Sequence, residues 1–251
     1  MGRVVLSVTG HVALIVLDNP GKRNAVDAQM RQELTAAYLR IEQDDDIRVA
    51  IIRGAGDKAF CSGGDIDSYL ESNAIGPGSA GLPPIPRPWP LWKPFIAAIQ
   101  GYAVGGGFAL ALVCDLRVVG QSAVIGPSGL RRGVIQGAQQ SQRLSRLIGA
   151  SKALELLLLS RYVSGEEAAS MGLAQRVTAD DAVHDCAMEW AEIIAGYDPW
   201  AVATTKRLVY EGQHLPLADA FDLESSAAAE GYRRASALEA FSAFQHRKGG
   251  P

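Results

Sequence analysis

The sequence predicts an α/β fold: a core in which strands alternate with helices, followed by a region of helices alone. Three observations carry this. Short all-apolar runs such as Val49 to Ile52 have the pattern of strands buried on both faces, which belongs to parallel sheets. Between such runs, apolar residues recur at helical intervals, as in Met30, Leu34, Ala37 and Ile41. From Gln139 onward the helical pattern dominates. At about 150 residues per domain, the 251 residues suit one or two domains.

The elements follow in order. Val4 to Val8 and Val12 to Leu17 flank Thr9-Gly10-His11 and read as a hairpin. Asn19-Pro20-Gly21 is a turn, and Asp27 is placed to cap a helix that runs to the acidic stop Asp44-Asp45-Asp46. Cys61-Ser62-Gly63-Gly64-Asp65 reads as a turn into a helix from Ile66 to Glu71. Residues 73 to 90, rich in Pro and Gly, read as a mobile loop. Phe95 to Cys114 is uncharged over twenty residues, long enough for a membrane span. Gln100, Gly101 and Gly105-Gly106-Gly107 divide it, so it reads instead as a strand, a Gly-rich turn and a helix over Phe108 to Val113. Leu116 to Val119 and Val124-Ile125 are strand-like, Ser164 and Glu167 form a capping box, and Leu173 to Val177 is one more strand. Asp198-Pro199 opens a further helix, with Pro at its first position. The expected division is a core over residues 1–198 and a helical region over 199–251.

Composition excludes several classes of function. The 24 Lys and Arg stand against 27 Asp and Glu without blocks of either sign, so no nucleic-acid partner is expected. Cys61, Cys114 and Cys186 are odd in number and far apart, which argues against a disulfide framework. His11, His184, His214 and His246 are scattered without metal-ligand spacing, so no metal is expected. The N-terminus has neither a signal-peptide core nor Ser or Thr at position 6 for myristoylation. The expectation is a reduced, soluble, cytoplasmic protein without a membrane span.

The chemistry concentrates at two glycine turns, Ser62-Gly63-Gly64 and Gly105-Gly106-Gly107, each preceding a helix. Glycine lets backbone N–H groups approach a ligand, and a helix N-terminus supplies unpaired N–H groups and the positive end of a dipole. Two such turns meeting at one point would form a two-donor oxyanion hole, in which one donor is typically worth about 2.7–4 kcal/mol. The alternative is that each turn only lets strand and helix pack closely. Neither turn fits a dinucleotide fingerprint or a phosphate loop: Gly101-x-x-x-Gly105 has the wrong spacing and no Gly-Lys-Ser/Thr follows.

Three segments in order resemble the enoyl-CoA hydratase/isomerase (crotonase) superfamily: Asn19-Pro20-Gly21-Lys22-Arg23-Asn24-Ala25, Ala59-Phe60-Cys61-Ser62-Gly63-Gly64-Asp65-Ile66, and Lys93 through Gly107. Gln142-Arg143-Leu144 and the stretch from Gly165 to Leu173 fit as well, so the likeness runs from about residue 4 to the C-terminus. The resemblance implies a spiral of ββα units with a C-terminal helical region. It implies an acyl-CoA thioester whose carbonyl oxygen lies between the N–H groups of Gly64 and Gly106, with coenzyme A as part of the substrate and no other cofactor. Arg23, Asn24, Ala25 and Ser62 then line the CoA path, and Gly63, Asp65, Ile66, Gly105, Ser128 and Gly129 border the substrate. Asp65 also reads as the cap of the helix from Ile66. Arg247 and Lys248 would offer charge to a CoA phosphate or form a solvated terminus. The family assembles as trimers or pairs of trimers, and residues 199–251 would mediate this. Leu217, Phe221, Leu238, Phe241 and Phe244 could equally cover their own core.

The sequence departs from the family where a hydratase carries two glutamates. The first position is Ala109 and the second is Gly129, and no acid occurs from Gly101 to Val113 or from Gly120 to Leu147. General acid–base help is worth about 10²–10⁴-fold per group, so the two-glutamate hydration is not expected. Asp67, Tyr69 and Glu71 are candidate substitutes, each with a solvated face as the alternative. Arg132 could face an acyl carboxylate or solvent. Ser128 has no histidine nearby in sequence to activate it. Trp89, Trp92 and Phe95 would roof the acyl pocket or belong to the core. The resulting expectation is an enzyme catalysing isomerisation, decarboxylation or thioester hydrolysis rather than hydration. The alternative is a non-catalytic acyl-CoA-binding protein. A purely structural oligomer would leave the glycine turns unexplained.

Overall fold

The computed structural model describes residues 2–67 and 91–248, with position 240 and positions 243–248 as backbone alone. Tyr69, Glu71, Trp89 and the expected loop over 73–90 therefore lie outside the described residues, as do the side chains of Phe244, Arg247 and Lys248. The chain divides into two compact units, Met1–Ile194 and Ala195–Pro251.

The first unit is built on two sheets. Strands β1 (Arg3–Thr9) and β2 (Val12–Asp18) form the expected antiparallel hairpin. β2 then pairs in parallel with β3 (Val49–Gly54), β3 with β5 (Phe95–Ile99), β5 with β7 (Leu116–Gly120), and β7 with β9 (Arg176–Thr178). Every residue of β5 is buried, as are the first four of β3, which is why these runs lack polar alternation. The second sheet is smaller and wholly parallel: β4 (Ala59–Cys61), β6 (Tyr102–Val104) and β8 (Val124–Gly126), with β6 in the middle.

Helix α1 (Ala28–Gln43) begins where the sequence predicts, the Asp27 carboxylate accepting from the Met30 N–H at 2.9 Å. It buries Met30, Leu34, Ala37, Tyr38 and Ile41 against the core. Burying a side chain the size of Leu34 or Ile41 contributes roughly 1.5–3 kcal/mol. Its last turn is closed from a distance by Lys93, whose ammonium donates to the carbonyls of Ile41 at 2.8 Å and Asp44 at 2.5 Å. Glu42 in turn accepts from the Trp92 N–H at 3.0 Å, so the entry to β5 and the end of α1 fix one another.

Helix α2 (Gly106–Val113) is buried from Gly106 to Leu112, as an apolar surface on all sides requires. Beyond its end the buried Arg117 guanidinium donates to the carbonyls of Leu173 at 2.6 Å, Cys114 at 2.6 Å and Ala111 at 3.3 Å. A positive charge at that end complements the helix dipole. Helices α3 (Gln140–Ile148), α4 (Ala150–Leu158), α5 (Gly165–Ser170) and α6 (Val183–Ala195) follow. Ser164 caps α5 by accepting from the Glu167 N–H at 3.2 Å, but the Glu167 carboxylate turns to Arg161 instead of completing the box.

Three readings of the sequence are revised. The stretch from Phe95 to Val113 holds two strands rather than one, because the chain turns at Gly101, at φ +61°, and enters the small sheet as β6 before α2 begins. β4 was not foreseen, since three residues are too few to show a period. The last strand begins at Arg176 rather than Leu173, because the backbone N–H groups of Leu173 and Ala174 are taken by the Ala168 carbonyl behind α5.

The second unit holds helices α7 (Pro199–Gly212), α8 (Leu217–Gly231) and α9 (Ala235–Lys248). Asp198 caps α7, accepting from Ala201 at 2.9 Å, with Pro199 in the first turn as expected. Within this unit Arg234 lies over the Trp200 ring and Tyr232 stacks on Phe241. Leu217, Phe221, Leu238 and Phe241 are exposed. Among the described residues no helix is long and apolar enough to cross a membrane.

Candidate active site

The small sheet delivers three loop segments from the C-terminal ends of its strands. β4 leads into Ser62-Gly63-Gly64, β6 into Gly105, and β8 into Pro127-Ser128-Gly129. Gly63 carries φ +111°, and a Cβ there would sit 3.0 Å from the Gly106 nitrogen. The two glycine turns are therefore in contact, and the contact requires a residue without a side chain. Gly107 makes the next approach: a Cβ on it would lie 1.9 Å from the Cys61 carbonyl oxygen, so only glycine lets α2 seat on the end of β4.

The direction of the Gly64 backbone follows from its neighbours. Val26 donates to the Gly63 carbonyl at 2.8 Å, and Asp65 donates to the Val26 carbonyl at 3.0 Å. In this parallel bridge the N–H of Gly64 points away from Val26. Gly106 is the first residue of α2, where an N–H has no partner within its own helix. Two backbone donors so placed, beside the positive end of a buried helix, can hold an oxygen that gains negative charge.

The turn after β2 supports the first glycine turn. Arg23 and Asn24 both take left-handed backbone conformations there. Asn24 is buried; its amide donates to the carbonyls of Ala59 at 2.7 Å and Ala55 at 3.0 Å and accepts from Asn19 at 3.0 Å. Ser62 donates through its N–H to the Arg23 carbonyl at 3.0 Å and through its hydroxyl to that of Lys22 at 3.1 Å. The Lys22 ammonium bridges Asp65 at 2.6 Å and Asp67 at 3.0 Å, and these carboxylates hold it charged well above the usual lysine range. Asp65, buried at 6% exposure, also accepts from the Asp67 N–H at 3.1 Å, as a cap for the turn that starts at Ile66. Ala25 is buried, Ile66 is exposed, and the Arg23 guanidinium lies 4.7 Å from the centre of the Tyr102 ring.

On the other side, Ser128 is buried and its hydroxyl oxygen lies 2.6 Å from where a Cβ on Gly105 would be. The Gly129 N–H donates to the Gln136 side chain at 2.9 Å. A Cβ on Gly129 would meet the carbonyl oxygens of Val134 at 2.8 Å and Ile135 at 2.9 Å. Ala109, inside α2, is fully enclosed. Arg132 is exposed and donates to the Ser128 carbonyl at 3.4 Å. Burial pushes the Cys61 thiol up to about 12, so it stays protonated beside the turn. Phe95 is core, packed edge-on to Tyr38 at 5.6 Å. Among the described residues no cluster of His, Cys, Asp or Glu could hold a metal ion.

The structure thus brings Arg23, Ala25, Ser62, Gly63, Gly64, Asp65, Gly105, Gly106, Ser128 and Gly129 into one neighbourhood. Lys22 and Gln136 belong to the same framework and were not anticipated. Lys22 meets Asp65 across 43 positions of sequence, a separation without any periodic signal.

Fold and site together set two glycine turns in contact at the ends of a small parallel sheet. The chain belongs to the enoyl-CoA hydratase/isomerase family, whose model matches residues 8–249. It is 38% identical over 217 residues to the (E)-benzylidenesuccinyl-CoA hydratase of Thauera aromatica, covering 85% of this chain and 84% of that one. It is 31% identical to the short-chain-enoyl-CoA hydratase of Clostridium acetobutylicum, covering 99% of this chain and 96% of the relative. Among solved structures, the enoyl-CoA hydratase EchA1 of Mycobacterium marinum matches with a TM-score of 0.90 at 31% identity, over 98% of this chain and 96% of that one. The expected α/β crotonase fold with C-terminal helices is the observed one.

Proposed function

We propose that this chain is an enzyme acting on acyl-CoA thioesters, the thioester oxygen being held by the N–H groups of Gly64 and Gly106. One observation carries the reading: the Gly63 backbone packs on the Gly106 nitrogen while the Gly64 N–H turns away from Val26. Such a pair stabilises an enolate or a tetrahedral anion through charge that develops only in the transition state. Arg23, Ala25 and Ser62 line the CoA side, and Ser128 and Gly129 border the acyl side.

The relatives named above are hydratases, yet the proton chemistry here differs from the two-glutamate route. Ala109 and Gly129 occupy the two positions, and neither side chain can move a proton. Isomerisation, decarboxylation and thioester hydrolysis use the same stabilised anion and are favoured over hydration. The enclosed Ala109 and crowded Gly129 also suit a second reading, a non-catalytic acyl-CoA-binding protein. The apolar side chains exposed on α8 and α9 support assembly into trimers or pairs of trimers through the second unit.

The test is mass spectrometry of saturated, 2-enoyl, 3-enoyl, malonyl-type and cyclic acyl-CoAs incubated with the protein in D₂O. Loss of CO₂, release of CoA or deuterium at the α-carbon names the reaction. Rapid addition of water would overturn the reading of positions 109 and 129. Unchanged masses with retained ligands would leave the binding protein. The Gly106→Pro variant removes one donor at a position where proline suits a helix start. Turnover is expected to fall by about 10²–10³-fold while the thioester still binds.

A further inference from the structure

We propose that Arg132 reads a free carboxylate on the acyl part of the thioester, so that the substrates are acyl-CoAs bearing a second acid group. This rests on the reading of the glycine turns as an acyl-thioester site. From Gly120 to Leu147 the chain holds Arg131, Arg132, Arg143 and Arg146 and no Asp or Glu. Three of these arginines are engaged by their surroundings. Arg131 donates to the Ser160 carbonyl at 2.6 Å and lies 4.4 Å from the centre of the Tyr162 ring. Arg143 donates to the Gln139 side chain at 3.0 Å, and Arg146 to the Gln142 carbonyl at 2.9 Å. Arg132 makes one long hydrogen bond among the described residues, to the Ser128 carbonyl at 3.4 Å, and pairs there with no carboxylate.

The position of that guanidinium gives it a use. It rests on Ser128, whose hydroxyl in turn lies against Gly105, the cap of α2. It therefore stands two contacts from the helix start that carries Gly106. The nearby carboxylate, Asp65, is already paired with Lys22; the end of the helix is partly positive, Arg132 is fully so, and Gly129, three positions earlier, offers no acid. A carboxylate would meet a planar fork that makes one hydrogen bond among the described residues, in the bidentate geometry that guanidinium favours.

Isothermal titration calorimetry of the full chain tests this, with succinyl-, glutaryl- and adipoyl-CoA set against the same thioesters ending in a carboxamide. The wild-type chain is expected to bind the best-fitting carboxylate about tenfold more tightly than its amide. Arg132→Gln abolishes that preference by weakening the carboxylate alone, and Arg132→Lys restores part of it. Unchanged circular-dichroism melting of both variants confirms that the exposed side chain is not needed for folding. Equal binding of carboxylates and amides by the wild type would overturn the proposal and leave the acyl-thioester reading intact. Equal weakening of both by Arg132→Gln would also overturn it, assigning the guanidinium to a CoA phosphate. Binding of none of the six would overturn the proposal together with the reading beneath it.

Discussion

At Gly129 the absence of a side chain is a matter of room. The carbonyl oxygens of Val134 and Ile135 stand 2.8 and 2.9 Å from where a Cβ would be, and backbone oxygens cannot swing aside as a side chain can. Gly129→Glu is expected to cost about 1–3 kcal/mol, read as a lowered denaturant midpoint, and not to create hydration of a 2-enoyl-CoA. Brisk hydration by that variant would show that the turn yields and that the site retains a water position. Ala109→Glu puts a carboxylate into enclosed space inside α2 and should destabilise by several kcal/mol, on the order expected for an unpaired buried charge. The identities at 109 and 129 are legible in the sequence once the glycine turns align them. The closing of Gly129 by residues 134–136 is not, because carbonyl directions in a loop leave no trace in residue type. The same holds for Lys22 on Asp65, a contact between two turns that only the folded sheet brings together.

At the scale of elements, the ends of helices were the most readable features. Asp27, Ser164 and Asp198 each cap the helix that follows, since a short polar side chain before an apolar period has a local reason to be there. The three-residue strands of the small sheet were less readable, because their pairing is decided by distant partners. The Asp198 cap gives a pH dependence. The hydrogen bond from the Ala201 N–H, helped by Ser236 and Arg234, holds its carboxyl below the ordinary 3.8. Its contribution is therefore present above that value and lost as the pH falls through it towards the lower folded-state value. Asp198→Ala should cost about 1 kcal/mol at neutral pH, and the gap between variant and parent should close in melts at increasingly acid pH. The far end of α1 offers a second test. Lys93→Met leaves the Ile41 and Asp44 carbonyls without their ammonium donor and should cost about 1–3 kcal/mol in chemical denaturation.

At the scale of the whole molecule, the fold class and the succession of an α/β core by helices were open to reading, because buried parallel strands and amphipathic helices differ in period throughout. The exposed Leu217, Phe221, Leu238 and Phe241 point to burial that one chain does not complete. Sedimentation equilibrium is expected to give three or six times the mass of one chain, and a monomer alone would contradict the proposed assembly. The small sheet carries a further consequence. Neighbouring strands run about 4.8 Å apart, and β4 and β6 are neighbours, with the proposed donors Gly64 and Gly106 three and two residues beyond their ends. One oxygen accepting two hydrogen bonds of about 2.9 Å needs its donors roughly 4 to 5 Å apart. On the proposed reading the sheet is thus a ruler: the spacing of the two donors follows the backbone repeat, while the Asn24 side chain steadies the first turn. In the proposed site, positions 109, 128, 129 and 132 can then vary around a fixed oxygen, so a change of reaction need not disturb the proposed hold on the thioester.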